Sequence, residues 1–174
     1  MFEEQANASL LRRLEAQTNR CPHCWHDRVQ RCICAKVSAV QLALPIRIIV
    51  VMHHKEYFRA SDDAKLLMMM LPPAQCKLVI FGKPGELETL EQELDADPEH
   101  AMMLWPGDSA VTVQQFLADS LSADSPWQWK GAATAAAAAP ATSLPVMRVV
   151  VLDSVYRTAR MMFRHISKLR SRRP

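Results

Sequence analysis

The sequence lacks any apolar run long enough to cross a bilayer. Its start, MFEEQANASLLRRLEAQ, carries early acids and lacks the long apolar core of a signal peptide. Hydrophobic residues are not scarce, since they make up 49% of the chain against 22% charged residues, which excludes a disordered protein. The 174 residues suffice for one domain with a full core and an appendage. We therefore expect a soluble cytoplasmic protein without a membrane partner.

Acidic and basic residues are separated along the chain, although the net charge is only +3. The segment 85–100, GELETLEQELDADPEH, is acidic, whereas the segments 27–32 and 157–174 are basic. Such asymmetry between segments is a weak indication of a polyanionic partner.

Hydrophobic runs alternate with helical segments along most of the chain. Short apolar runs predict strands at 46–52, 77–81, 101–105 and 147–153. The run at 46–52 is continuous and rich in β-branched residues, which is typical of a strand buried on both faces. Helices are predicted at 3–17, 61–73, 85–97 and 112–121. This alternation predicts an α/β fold with a mostly parallel sheet and flanking helices, whose ligand site lies beyond the carboxyl ends of the strands. Ser61 is the predicted N-cap of the second helix.

The chain is expected to divide into three parts. They are an N-terminal helix at 1–19, a cysteine segment at 20–36 and an α/β domain at 37–174. Within the last part, the alanine-rich segment 126–145 is bracketed by prolines and has no amphipathic pattern, so it is predicted to be a low-complexity surface insertion.

Four cysteines lie close together in the cysteine segment. Cys21, Cys24, Cys32 and Cys34 follow the spacing C-x2-C-x7-C-x-C. Two close pairs joined by a short loop can wrap four thiolates around a tetrahedral Zn²⁺. The alternatives are free thiols or two disulfides, and a reducing compartment disfavours disulfides. A closed site of four sulfurs leaves no open coordination position, so we predict a structural zinc knuckle.

The segment 147–166 passes in one step from a strand to a helix with two unlike faces. Arg157, Arg160, Arg164 and Lys168 are spaced to share one helical face. Five apolar residues form the opposite stripe: Val155, Ala159, Met162, Phe163 and Ile166. A basic stripe is commonly only a solvated surface, but no acid balances this one. We therefore favour contact with the phosphates of a nucleic acid.

Two residue types at the predicted strand ends could carry chemistry. Asp153 ends the last strand, where its carboxylate could cap the following helix or serve as a base. His53 and His54 follow the first strand, but adjacent residues in an extended segment point to opposite sides and no third ligand is evident. We therefore do not expect a catalytic metal there.

Four segments occur in a recognisable order: RCPHCWHDRVQRCIC, HHKEYFRASDDAKLLMMMLP, LWPGDSA and VVVLDSVYRTARMMFRHI. In that order, over about 20–170, they resemble the DTW-domain family of tRNA-uridine aminocarboxypropyltransferases. The last segment corresponds to the family's D-x-T-W motif and the EARKMFR-like helix that follows it. The resemblance implies a fold related to the SPOUT class, in which a C-terminal knot surrounds S-adenosylmethionine. It implies transfer of the 3-amino-3-carboxypropyl group of S-adenosylmethionine to N3 of a tRNA uridine.

The resemblance also implies roles for particular residues. Asp153, Glu56 and Arg59 are the expected catalytic residues, with Asp153 as the base for the uridine imide or as its orienting acceptor. The expected contacts to S-adenosylmethionine are Leu104, Pro106, Gly107, Leu152, Ser154 and Tyr156. The expected contacts to RNA are Arg157, Arg160, Arg164 and Lys168.

The chain departs from the family pattern in three places. Val155 replaces the motif threonine and loses its hydroxyl group, while Tyr156 replaces tryptophan and keeps an aromatic face. Asp62 stands where the family usually has asparagine. The chain also ends sooner after the motif helix than family members do, so we expect an incomplete, C-terminally truncated knot. These departures leave two alternatives: a non-catalytic zinc-containing RNA-binding protein on a degenerate transferase scaffold, and a SPOUT-type RNA methyltransferase.

Overall fold

The computed structural model of the chain describes residues 2–42, 46–107, 110–112, 114–116, 118 and 146–171. Its helices are α1 (Phe2–Glu15), α2 (Ala64–Met70), α3 (Glu86–Asp95) and α4 (Tyr156–Ser171). Its strands are β1 (Ile46–His53), β2 (Cys76–Phe81), β3 (Ala101–Leu104) and β4 (Met147–Asp153). Residues 114–116, inside the predicted fourth helix, are also helical. The predicted insertion at 126–145 lies outside the described residues.

The four strands form one sheet in the order β2-β1-β4-β3, and every neighbouring pair is parallel. The predicted α/β fold with a parallel sheet and flanking helices is therefore confirmed. Parallel pairing places all four carboxyl ends at one edge of the sheet. At that edge, Asp153 of β4 is in register with Met52 of β1.

One face of the sheet is covered by α3 and α4. Its buried core comes from alternate residues of the strands and from the apolar faces of the two helices: Ile49, Val51, Val79, Phe81, Leu87, Leu90, Leu94, Val150, Met162 and Ile166. Because side chains alternate across a strand, the intervening residues of β1 and β4 face the other way.

The opposite face is covered by α1, α2 and the cysteine segment. Val50, Met52 and Ile80 pack there with Leu10 of α1 and with Trp25. Ala64, Leu67 and Met68 of α2 pack against the same cluster. The cysteine segment is therefore part of the core that supports the sheet.

Three local predictions were wrong. The second helix begins at Ala64 and is not capped by Ser61; instead, Asp62 Oδ1 accepts a 2.9 Å hydrogen bond from the Ala64 N–H. Val155 is 62% exposed and lies before α4, so it is not part of the buried stripe. The rings of His53 and His54 do not point apart, because their centroids are only 4.2 Å from each other and β1 ends between them.

The predicted two faces of α4 are otherwise present. Ala159, Met162 and Ile166 are buried, whereas Arg157 and Arg160 are exposed. Among the described residues, no helix is both long enough and apolar enough to span a membrane.

Two neighbouring methionines of α4 test this orientation of the helix. Met162 is fully buried and Met161 is 42% exposed. Because Met162→Ala would leave a cavity in the core, we expect it to lower the free energy of unfolding by about 2–5 kcal/mol. Met161→Ala, the matched control, should change it by no more than about 0.5 kcal/mol. Urea denaturation measures both values, and equal effects would contradict the orientation of α4.

Candidate functional site

A cavity of about 630 Å³ opens between α2 and the sheet at the carboxyl edge. This volume is in the range of pockets that hold small molecules. Apolar residues of α2 and the central strands line its walls: Ala64, Leu66, Leu67, Met70, Val50, Val151 and Leu152. Four carboxylates and a hydroxyl group line the rest: Glu56, Asp62, Asp63, Asp153 and Ser61.

The loop between β1 and α2, residues 54–63, carries three of those carboxylates to the edge, and we call it the acidic loop. Successive turns close on backbone hydrogen bonds from Glu56 to His53, from Arg59 to Glu56 and from Asp62 to Arg59. Phe58 adopts a left-handed conformation with φ of 66° and is buried against the core below the loop. This buried ring anchors the loop, so its acids are held over the end of β4.

Asp153 has the environment of a base with a raised pKa. Burial, followed by the charges of Asp62, Glu56 and Asp63, raises the pKa of Asp153 to about 7. Its Oδ2 atom is buried, and no described residue donates a hydrogen bond to it. A hydrogen bond with the carboxyl group of Asp62 also raises the pKa of Asp153, because two carboxyl groups can share a hydrogen bond only when one of them is protonated.

The alternative role of Asp153 as a helix cap is not seen. In the first turn of α4, the N–H groups of Thr158 and Ala159 both donate to the carbonyl of Val155. No described hydrogen bond joins this turn to the Asp153 side chain. A cap on α4 therefore does not explain the position of Asp153 at the cavity.

Glu56 and Arg59 form an ion pair with each other. Arg59 Nη1 lies 2.5 Å from Glu56 Oε2, and the Arg59 side chain remains half exposed. Glu56 lines the cavity and Arg59 does not. The two predicted catalytic partners of Asp153 are thus brought to the same loop, but only Glu56 faces the cavity directly.

Only one of the six residues predicted to contact S-adenosylmethionine lines the cavity. Leu152 lines the cavity, whereas the other five do not: Leu104, Pro106, Gly107, Ser154 and Tyr156. Leu104 is in register with Val151 on the neighbouring strand, so the turn at Pro106-Gly107 follows at the same sheet edge.

The residues present fit the chemistry of S-adenosylmethionine. Apolar walls from Leu66, Leu67 and Met70 suit a flat purine, and the carboxylates suit a sulfonium and an ammonium group. The buried, unpartnered Asp153 Oδ2 is an acceptor available to a ligand donor. The sequence did not point to Asp63 or to the α2 wall, because their role depends on how the loop folds over the edge.

The four cysteines form one compact group at the other side of α2. Their sulfur atoms all lie within 4.8 Å of one another, with Cys21 and Cys34 at 3.5 Å and Cys24 and Cys32 at 3.8 Å. Zn–S bonds of about 2.3 Å in a tetrahedron separate sulfur atoms by about 3.8 Å. All four cysteines are free. The cluster therefore fits a zinc knuckle, as predicted.

The pKa values of the cysteine thiols are shifted in opposite directions. A hydrogen bond from the backbone N–H of Cys24 lowers the pKa of Cys21 to about 6, despite its burial. Burial and the neighbouring thiols raise the pKa of Cys34 to about 12. This opposition is expected where several thiol groups share one small volume.

A surface groove of about 530 Å³ runs along the exposed side of α4. Arg157, Arg160 and Arg164 line it together with Met161 and His165. The side chain of Lys168, the fourth predicted RNA contact, lies outside the described part of the chain. The three arginines thus share one face, as their spacing predicts.

The carboxyl group of Asp153 provides a direct test of the site. We expect its ¹³C NMR titration midpoint in the folded protein near pH 7, against an unperturbed value of 3.8. Asp62→Asn should lower that midpoint, because it removes a neighbouring negative charge. Between pH 3.8 and about 7, the folded state binds a proton on Asp153 that the unfolded state has lost. The free energy of unfolding should therefore fall as the pH rises through this range.

The control for this titration is Glu88→Gln, which removes an exposed acid from α3 on the other face of the sheet. It should leave the Asp153 midpoint unchanged. A midpoint near 4 in the unmodified protein would show that Asp153 is an ordinary solvated carboxylate.

The cysteine cluster is tested by metal content. We expect one zinc ion per chain, and Cys24→Ser should remove it because a hydroxyl is a poor zinc ligand. Cys76→Ser changes a buried cysteine in β2, outside the cluster, and should retain the metal. Elemental analysis of both purified variants gives the answer, and zinc retained by Cys24→Ser would contradict the proposed ligand set.

Comparison with protein-family models finds the DTW domain, matched over residues 18–173. Searches of curated proteins and of solved structures find no match. The match includes the cysteine cluster, the acidic loop, the turn after β3 and the junction of β4 with α4, so it takes in every part of the site described above. Because it extends over nearly the whole chain, the protein belongs to the DTW-domain family.

Proposed function

We propose that this protein transfers the 3-amino-3-carboxypropyl group of S-adenosylmethionine to N3 of a uridine in tRNA. One observation carries the proposal: Asp153 holds a buried carboxylate oxygen without a donor, at the mouth of a cavity of ligand size. Membership of the DTW-domain family, whose members are associated with this transfer, supports the same reaction.

Asp153 acts on the uridine in this proposal. Its Oδ2 atom accepts the N3 proton, and a pKa of about 7 makes it a stronger base than an ordinary aspartate while leaving a large ionised fraction at neutral pH. When bound, S-adenosylmethionine supplies the carboxypropyl carbon that N3 attacks and departs as methylthioadenosine. Asp153 thus orients the imide and takes up the proton that the new N–C bond displaces.

The other carboxylates bind charge. Asp62, Asp63 and Glu56 make the cavity negative, which favours the sulfonium and ammonium groups of the co-substrate. Arg59 holds Glu56 in place through their ion pair and leaves its exposed side available to a carboxylate. Leu152 contacts the ligand from the sheet, and the backbone at Leu104, Pro106 and Gly107 is positioned at the same edge for further contacts.

The remaining parts hold the fold and the RNA. A zinc ion at Cys21, Cys24, Cys32 and Cys34 is structural, since the four sulfurs complete its coordination. The exposed face of α4, with Arg157, Arg160 and Arg164, binds tRNA phosphates.

A second candidate is a non-catalytic RNA-binding protein with the same zinc knuckle. The specific observation in its favour is Val155, which is exposed and has no hydroxyl group where the family motif has threonine. A SPOUT-type methyltransferase would use the same cavity and co-substrate but transfer the methyl group.

Two preparations of S-adenosylmethionine separate these functions. One carries its label in the carboxypropyl group and the other in the methyl group. We expect tRNA to acquire label from the first preparation only. Label from the second alone would indicate a methyltransferase, and label from neither would indicate an RNA-binding protein.

The same assay tests Asp153. Asp153→Asn should reduce transfer by at least about 100-fold, because the amide cannot accept the N3 proton as a base. Its affinity for tRNA should stay nearly unchanged, since the arginine face is intact. Glu88→Gln, on the other face of the sheet, serves as the matched control and should transfer normally. Undiminished transfer by Asp153→Asn would remove Asp153 from the mechanism.

A further inference from the structure

Three aromatic rings stack at the start of α4. The Trp105 ring lies 5.9 Å from the Tyr156 ring and 4.6 Å from the Phe163 ring, with interplanar angles of only 3° and 11°. Tyr156 and Phe163 are seven residues apart on one helix, which corresponds to a rise of about 10.5 Å. The two ring separations together match that rise, so Trp105 fits between them and Tyr156 forms the end of the stack.

The Tyr156 ring is held in position but not covered. It is 67% exposed, although one of its faces rests on Trp105. A large aromatic side chain that is both ordered by a neighbour and open to solvent offers a preformed flat surface. The contact between Trp105 and Phe163 already joins the end of β3 to α4, so the fold does not require an exposed ring at Tyr156.

The stack does not belong to the cavity. Asp153 is in register with Met52 and shares its face of the sheet, which α2 covers. Ala101 and Met103 of β3 pack on the opposite face, with α4, and Trp105 continues this alternation. The ring of Tyr156 and the cavity therefore lie on different sides of the same sheet edge, and Tyr156 is absent from the cavity lining.

Positive charge lies on the same helix as two rings of the stack. Arg157, Arg160 and Arg164 are exposed on α4, and no described carboxylate pairs with them. Single-stranded nucleic acid is bound by this combination of an aromatic ring that stacks on a base and cations that contact phosphates. An acidic peptide would satisfy the arginines but would leave the flat ring without a matching partner.

We propose that the exposed face of Tyr156 stacks on a nucleobase of the RNA, next to the uridine that is presented to Asp153. The proposal rests on the proposed function, in which RNA is the substrate, and it assigns Tyr156 to the RNA and not to S-adenosylmethionine. The arginines of the α4 groove hold the phosphates on the same side of the stacked base. The ring thereby keeps the strand extended at the sheet edge.

Binding of two short RNAs tests this assignment without S-adenosylmethionine. One is a five-nucleotide uridine oligomer, and the other has the same phosphates but no bases. We expect Tyr156→Leu to weaken binding of the uridine oligomer by between about 5-fold and about 150-fold, the range for loss of one base–aromatic stack. It should leave binding of the abasic oligomer unchanged. Tyr156→Phe keeps the ring and should bind both oligomers like the unmodified protein.

Arg160→Gln is the electrostatic control. It should weaken binding of both oligomers. It should also reduce the steepness of log affinity against log salt concentration by about the amount that one phosphate contact contributes. Tyr156→Leu should not change that slope. Equal loss with both oligomers, or no loss with either, would overturn the stacking assignment while leaving RNA binding intact. Failure of the unmodified protein to bind any RNA would instead overturn the proposed function together with this inference.

Discussion

The parallel pairing of β4 with β1 is the constraint on which the site depends. It places Asp153 beside Met52, on the face of the sheet that α2 and the acidic loop cover. A shift of one residue in this register would turn Asp153 toward the apolar core beneath α4, since side chains alternate across a strand. The buried residues of β4 and β1, such as Val150 and Ile49, resist that shift because it would remove a side chain of β4 from the core beneath α3 and α4. Apolar packing on one face thus sets the position of a carboxylate on the other.

Charge repulsion in the cavity gives the site its chemical character. Asp62, Asp63, Glu56 and Asp153 line one volume. Arg59 pairs with Glu56, and Lys65 lies close enough to Asp62 and Asp63 to interact with their charges. Bringing like charges together costs free energy, which falls when Asp153 takes up a proton, and the pKa of Asp153 is raised to about 7 as a result. A cationic ligand relieves the same repulsion, so its binding and the release of that proton are coupled. Asp62, where the family usually has asparagine, strengthens this coupling.

The sequence predicted the features that short-range patterns determine. Short apolar runs located the strands, cysteine spacing located the candidate metal cluster, and the spacing of Arg157, Arg160 and Arg164 identified the exposed face of α4. It could not reveal the α2 wall of the cavity or the role of Asp63, because both depend on a loop held down by Phe58 in a left-handed conformation. Ser61 was a poor guide for the same reason, since tertiary packing delays the start of α2 to Ala64. Local propensity is overridden wherever a buried ring fixes the backbone.

The cysteine cluster and the cavity are mechanically connected through α2. Trp25 follows Cys24 directly and is buried among residues of the sheet and of α2, including Ala64 and Leu67, which also line the cavity. Lys65 Nζ lies 6.0 Å from the Trp25 ring centroid and donates to the carbonyl of Ala60 in the acidic loop. Coordination of a metal by Cys24 would therefore fix the ring against which α2 packs, and α2 in turn fixes the cavity wall. A structural metal on one side of this helix can thus define the shape of a ligand site on the other without contacting the ligand.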